Sequence, residues 1–383
     1  MRFVIVGTAY PLRGGIAQYV ALLHRALVAR GHEVKIITFS RQYPKILFPG
    51  KTQDEQGGPG IAVEAEQIID SINPLSWRRA GKRIADFEPD AVIFKFWLPF
   101  FAPAYGVISR TAKKILRKKG KQTKIVFIAD NAIPHEKRPG DRAFTNFAFK
   151  VVDHFIVQSS AVERDLKSLK PDAAYTRLEH PVFEAFGAPI SQHEAREKLG
   201  LAEKDEVLLY FGFIRKYKGI DIAIKAVAQI AATRPNLVLL VAGESYNGEE
   251  DYKALANELG VLGTHVRFFD QYISNDDVPI YFCAANAALL PYRNATQSGV
   301  VQIAYHYNLP VIATNVGGLP EIVIDGKSGL IAPEATPDSV AIVIQQFFED
   351  SLEAKLREGI NDEKPKYLWS TFAEGIERIS RLS

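Results

Sequence analysis

Between Gly212 and Gly219 the chain reads FGFIRKYKGID (residues 211–221), which sets Arg215, Lys216 and Lys218 between two glycines. A guanidinium offers a fork to phosphate oxygens and an ammonium offers a compact charge, so Arg215 and Lys218, three residues apart, suit a diphosphate. The plain alternative is a solvated turn. Residues 295–321, ATQSGVVQIAYHYNLPVIATNVGGLPE, change that balance: residues 294–320 contain no Asp, Glu, Lys or Arg in a chain that is 24% charged. Thr296, Gln297, Ser298 and Gly299 precede VVQIAYHY, which reads as a helix beginning near Val300. Backbone N–H groups and hydroxyls at a helix start form a neutral anion cradle. VGGLPE is a third glycine-rich loop in the same half. One basic loop and two dipolar ones fit a nucleoside-diphosphate sugar, with Gly212, Gln297, Ser298, Gly299 and Val300 as further donor-binding candidates.

The N-terminal half carries weaker signals. GTAYPLRGGIAQY puts Gly14 and Gly15 directly ahead of a helical pattern, where a backbone without Cβ atoms approaches a ligand closely and the positive end of the helix favours an anion. A simple tight turn is the alternative. The spacing from Gly7 to Gly14 is not the G-x-G-x-x-G of dinucleotide binding, which argues against a dinucleotide oxidoreductase. In FIADNAIPHEKR (residues 127–138) Asp130, Asn131, His135 and Glu136 form a polar cluster beyond a buried strand. Such a cluster binds sugar hydroxyls or assists a proton, and a capped turn fixed by Pro134 is the other reading. FKFWLPFFAPAYGVIS (residues 94–109) holds six aromatics and leads into residues 110–124, which carry eight basic side chains and no acid. Two readings stand: aromatics on sugar rings or a lipid channel beside a basic helix at an anionic membrane, or aromatic core and a solvated face.

These residues need a scaffold. RFVIVG, the helical pattern IAQYVALLHRALVARG capped at Gly31, and EVKIITF make a strand, helix, strand unit, which implies a parallel sheet. Apolar strands follow at residues 91–96, 124–129 and 154–158. The same grammar restarts at residues 206–212, 236–243, 265–269, 287–291 and 310–314, with a helix over 220–234. The fold class is α/β: two doubly wound, Rossmann-like parallel-sheet halves. Residues 180–192 combine prolines and a glycine without a period, so the expected division is 1–187, 188–365 and a C-terminal helix over 366–383 packing back on the first half. Ligands sit at the C-terminal ends of such strands, and a cleft between the two sheets is the expected place.

With 383 residues, 47% hydrophobic, the chain exceeds one core. The net charge of +3 is too small to argue for nucleic acid. One cysteine, Cys283, excludes an internal disulfide and a Cys-rich zinc site, and fits a reducing compartment. No segment reads as a secretory or membrane-spanning helix, so a cytoplasmic protein is expected, peripheral at the inner face of the membrane if residues 110–124 bind there.

GGIAQY, the strand-Gly-x-x-Arg-x-x-Lys-Gly-helix block and PVIATNVGGLPEIVIDGKSGLI resemble the retaining GT-B glycosyltransferases of family GT4, over nearly the whole chain. The resemblance implies a donor sugar nucleotide in the C-terminal domain, an acceptor in the N-terminal one, and metal-independent hexosyl transfer with retention and no cofactor. It implies that Arg215 and Lys218 hold the diphosphate and stabilise its developing charge, and that Gly14 and Gly15 approach the donor. No carboxylate nucleophile is implied, so the two-carboxylate scheme of hydrolases is not expected. The family commonly carries E-x7-E, whose positions here are Ala295 and Ile303; both glutamates are missing. A His that touches the donor sugar is replaced by Asp130, so Asp130 and His135 join Arg215 and Lys218 as catalytic candidates. The expected activity is transfer from a nucleoside-diphosphate sugar to a saccharide or lipid-linked saccharide in cell-surface polysaccharide synthesis. The alternatives are a non-catalytic sugar-nucleotide or glycan-binding protein and a sugar-nucleotide epimerase.

Overall fold

A computed structural model describes residues 1–44, 53–54, 61, 63–133, 138–182, 186–244, 249–295 and 298–381. His135, Glu136, Thr296 and Gln297, all singled out above, lie outside the described residues. The chain divides into two compact units, Met1–Pro181 with Tyr367–Ser383, and Val182–Lys366. The break falls after Pro181, ahead of the expected position near residue 188.

The first unit alternates strands and helices: β1 (Arg2–Val6), α1 (Gly15–Ala29), β2 (Glu33–Arg41), β3 (Glu66–Asp70), α2 (Pro74–Phe87), β4 (Ala91–Phe96), α3 (Ala102–Lys118), β5 (Lys124–Ala129), α4 (Asp141–Phe149), β6 (His154–Val157), α5 (Ser160–Leu169) and β7 (Tyr175–Arg177). Its sheet is parallel, in the order β3-β2-β1-β4-β5-β6-β7. Strand order therefore reverses between β1 and β4, and loops leaving these strands diverge to open a crevice at their C-terminal ends. α1 stops where expected: Gly31, at φ 80°, donates its N–H to the Val28 carbonyl at 2.9 Å, a turn that favours glycine.

The second unit contains α6 (Gln192–Lys198), β8 (Glu206–Phe211), α7 (Ile220–Ile230), β9 (Leu237–Ala242), α8 (Glu249–Glu258), β10 (Val266–Phe269), α9 (Val278–Ala284), β11 (Ala287–Leu290), α10 (Gly299–His306), β12 (Val311–Thr314), α11 (Leu319–Ile322), β13 (Gly329–Ala332), α12 (Pro337–Glu349) and α13 (Glu353–Glu363). Its parallel sheet runs β10-β9-β8-β11-β12-β13, the same winding with its reversal between β8 and β11.

The last helix, α14 (Trp369–Arg381), belongs to the first unit. Trp369 and Phe372 set their rings 5.0 and 6.0 Å from that of Tyr19 on α1, and Arg30 pairs with Glu374 and Glu377.

The aromatic run over the end of β4 and the residues after it resolves mostly into core. Phe94, Phe96, Phe101 and Tyr105 are fully buried, with Phe94 4.9 Å from Phe127 and Trp97 4.6 Å from Phe101 by ring centroids. These rings fill the space between sheet and helices and offer no open stacking platform, which corrects the sugar-stacking reading for those four. The basic stretch forms the exposed side of α3 and the turn after it. Arg110 donates to the Gly106 and Phe147 carbonyls, Lys113 pairs with Asp153 at 2.6 Å, and Lys119 and Lys121 pair with Glu88. Lys114, Arg117 and Lys118 are exposed. Among the described residues no helix is long and apolar enough to cross a membrane.

Candidate active site

In the second unit, three loops leave the C-terminal ends of β8, β11 and β12 and are stitched to one another. The basic loop after β8 makes a short 3₁₀ turn over Lys216–Lys218 and enters α7 at Gly219. Arg293, in the loop after β11, donates its backbone N–H to the Tyr217 carbonyl at 2.7 Å. Its guanidinium reaches the Lys216 carbonyl at 3.1 Å and forks onto Asp221 at 2.8 and 2.6 Å. A Cβ on Gly219, at φ 68°, would stand 1.9 Å from the Pro291 carbonyl oxygen, so only glycine lets the two loops meet. The third loop joins in the same way: a Cβ on Gly317 would lie 1.3 Å from the Ala295 carbonyl oxygen, and Gly318 donates its N–H to that oxygen at 3.3 Å. Gly219 and Gly317 thus serve contact between loops.

Lys218 lies half-buried within this platform. Its Nζ is 5.8 Å from the Tyr292 ring centroid and 3.2 Å from where a Cβ on Gly212 would stand. Burial and the neighbouring Arg215 push its pKa down to about 8. Arg215 is half-buried at the start of the 3₁₀ turn. The buried Tyr292 hydroxyl lies 3.4 Å from the Ser298 Oγ, and the Thr314 hydroxyl donates to the Tyr292 carbonyl at 2.5 Å. Ser298 is the N-cap of α10, which starts at Gly299, with Val300 half-buried in its first turn. The second unit thus brings Gly212, Arg215, Lys218, Ser298, Gly299 and Val300 to the β8–β11 reversal of its sheet. Gln302, which sequence reading passed over, is fully buried on α10, and neither polar atom of its amide has a partner among the described residues.

The first unit has its own cluster at the β1–β4 reversal. Lys95, the one charged residue of β4, is 2% exposed and donates to Asp130 Oδ1 at 2.5 Å, just beyond β5. Its Nζ also lies 3.4 Å from Gln158 Oε1 and 3.5 Å from the Tyr19 ring centroid, and Gln158 donates to the Tyr19 hydroxyl at 3.1 Å. Burial pushes the Lys95 pKa down and Asp130 opposes that shift, while burial raises the Tyr19 hydroxyl. His180, 5.1 Å from the Tyr19 ring, is pushed down to about 3 by burial and then by Lys95, and so is neutral near pH 7. Asp130 is thus the carboxylate end of a buried network whose cation sequence reading missed. One lysine in AVIFKF reads as a strand irregularity, and nothing local tells which loop its ammonium meets. Gly14 sits at the other edge of this crevice as the N-cap of α1 with φ 105°, and Gly15 opens the helix.

A family model described as Glycosyl transferases group 1 matches residues 191–366, and one described as Glycosyltransferase Family 4 matches residues 13–178. The chain belongs to the family 4 glycosyltransferases. It is 26% identical over 400 residues to the D-inositol 3-phosphate glycosyltransferase of Acidothermus cellulolyticus, covering 96% of this chain and 85% of that one. Its fold matches the HepE protein of Anabaena in complex with UDP with a TM-score of 0.75, 19% identity and full coverage of both chains. It also matches sucrose-phosphate synthase from Thermosynechococcus elongatus with a TM-score of 0.73 and 20% identity, covering 99% of this chain and 98% of that one. The fold of this glycosyltransferase is GT-B, with two Rossmann-like domains. Its departures from the family pattern are visible in the structure: Ala295 and Ile303, where the usual glutamates would stand, are 2% and 7% exposed. Both are packed, apolar positions.

Proposed function

We propose that the protein transfers a hexosyl group from a nucleoside-diphosphate sugar to a saccharide or lipid-linked saccharide acceptor, with retention and without a metal, in cell-surface glycan synthesis. The observation that carries this reading is the platform at the β8–β11 reversal, where the loop that carries Arg215 and Lys218 is bonded through Arg293 to the loop that leads into α10. The donor diphosphate lies against these two cations, which strengthen their hold as the glycosidic bond breaks and negative charge grows on the leaving phosphate. The HepE structures hold UDP and UDP-glucose, which supports a donor of that class here. Packed Ala295 and Ile303 leave ribose and sugar recognition to other groups, with Gln297, Ser298 and backbone amides as the candidates. Asp130, held by Lys95, accepts hydrogen bonds from sugar hydroxyls; with His135 it makes up the polar contribution of the first unit.

The proton released by the acceptor hydroxyl passes to the departing phosphate, so no second carboxylate is needed. Peripheral association with the membrane's inner face rests on exposed Lys114, Arg117 and Lys118, each worth about 1 kcal/mol near an anionic surface. The reading is tested by incubating the protein with a sugar nucleotide and an oligosaccharide acceptor, with and without chelator, and assigning the anomeric configuration of the product by NMR. An inverted product overturns retention, chelator-sensitive turnover overturns metal independence, and donor binding without turnover favours a binding protein.

A further inference from the structure

The crossovers β3-α2-β4, β4-α3-β5 and β5-α4-β6 all step the same way along the first sheet, so their right-handedness puts α2, α3 and α4 on one face of it. They lie side by side. A Cβ on Gly81 of α2 would stand 2.6 Å from the Thr111 Cβ of α3, and the Arg110 guanidinium of α3 lies 4.0 Å from the ring centroid of Phe147 on α4. This surface is one-sided in charge: the three helices carry four, five and one basic residues against two acids, Asp86 and Asp141. By contrast, α5 and α14 of the same unit each balance two acids with two bases. Asp141 is engaged, accepting the Arg138 backbone N–H at 2.8 Å, and Asp86 is at the far end of α2. Arg78, Arg79, Lys82, Lys114, Arg117 and Lys118 are exposed.

Large apolar side chains stand in water where two of these helices begin. Ile72 and Leu75, on either side of Pro74 at the start of α2, are 50% and 68% exposed, and Phe144 and Phe147, one turn apart on α4, are 47% and 39% exposed. Each helix follows a strand of a parallel sheet, so its start lies at the C-terminal edge of that sheet, where the β1–β4 crevice opens. One exposed leucine is ordinary, whereas exposed apolar pairs rimmed by cations belong to an interaction surface. An anionic bilayer matches both parts: headgroups meet the Arg and Lys side chains, and the acyl boundary takes the apolar ones. A soluble polyanion matches the charge and leaves the apolar pairs in water.

We infer that the α2–α3–α4 surface docks on an anionic bilayer with Ile72, Leu75, Phe144 and Phe147 inserted, which sets the crevice of the first unit at the lipid surface and makes a lipid-linked saccharide the acceptor. The inference rests on the glycosyltransferase reading and deepens it. Of the two acceptor classes it selects the lipid-linked one, and it adds an apolar part to a membrane contact otherwise resting on Lys114, Arg117 and Lys118.

The full chain is co-sedimented with vesicles of phosphatidylglycerol and phosphatidylcholine, and with vesicles of phosphatidylcholine alone. Binding to the anionic vesicles is expected, weakened about tenfold or more by Ile72→Ser/Leu75→Ser and likewise by Phe144→Ser/Phe147→Ser, which keep every charge. A nitrobenzoxadiazole probe attached to Leu75→Cys in a Cys283→Ala background is expected to shift its emission to the blue when anionic vesicles are added. No binding by the unaltered protein, equal binding by both serine pairs, or a probe that does not shift overturns the inference; so does tighter binding to heparin than to the vesicles, which would assign the surface to a soluble polyanion. UDP titrated into the same serine variants without vesicles reports on the donor reading alone and is expected to bind as to the parent, so the two proposals fail separately.

Discussion

Replacing Lys95 by Met removes the cation of a buried pair while keeping an unbranched chain of similar length. Lys95 is 2% exposed and Asp130 15% by side chain, and they meet at 2.5 Å. Breaking such a pair by removing one partner costs about 3–5 kcal/mol, because the remaining charge keeps its desolvation cost without its counter-ion. Partial access of solvent to Asp130 places the expected loss near about 3 kcal/mol. A unit of this size loses roughly 2–4 °C of melting temperature per kcal/mol, so Lys95→Met is expected to melt about 6–12 °C lower. Asp130→Asn in the same chain removes the stranded carboxylate, and the double variant is expected to be about 1–3 kcal/mol more stable than the sum of the single losses. Urea unfolding of the four proteins measures this coupling. A shift below about 2 °C for Lys95→Met, or strict additivity in the double variant, would refute the buried-pair argument.

Three further outcomes follow from the geometry. Lys218 titrates near pH 8, so nucleoside-diphosphate affinity is expected to fall as pH rises through that value, at most about tenfold per pH unit. Lys218→Arg flattens the profile, and titration of UDP between pH 7 and 10 checks both. Gly219→Ala puts a methyl 1.9 Å from the Pro291 carbonyl oxygen at φ 68°; the expected cost is about 1–3 kcal/mol in stability, read by thermal melting, together with loss of nucleotide binding. Charge reversal of Lys114, Arg117 and Lys118 is expected to reduce binding to vesicles rich in phosphatidylglycerol in a co-sedimentation assay; unchanged binding removes the membrane proposal.

The strand and helix order was legible because buried parallel strands are near-continuous apolar runs, as in AVIFKF and NLVLLVAG, and because the first helix ends at a glycine. The same signal failed for short or edge elements. EQIID, which forms β3, is half polar and carries no run, and GLIA, which forms β13, is too brief to separate from a loop. Arg215 and Lys218 were legible as a pair because they stand three residues apart between glycines in one loop. What joins them to the rest was not: the Arg293–Asp221 fork spans the β8–β11 crossover, and the Gly219 and Gly317 contacts depend on where other loops pass. Lys95 was hidden for a related reason. Its partner Asp130 lies just past the end of β5, the next strand of the sheet, and only the register, which sets Lys95 beside Ile128, brings ammonium and carboxylate together.

Arg215 and Lys218 are proposed to receive the diphosphate of a sugar nucleotide. The most direct test of this role is a thermal-shift series with UDP, GDP and ADP, with and without Mg²⁺, on the unaltered protein and on Arg215→Ala and Lys218→Ala. A nucleotide at a hundred times its Kd stabilises the folded state by about 2.7 kcal/mol. A clear shift is expected with one nucleotide, independent of Mg²⁺, and is lost in both variants while their melting without nucleotide stays near that of the parent. No shift with any nucleotide, or a shift that persists in both variants, would contradict this role.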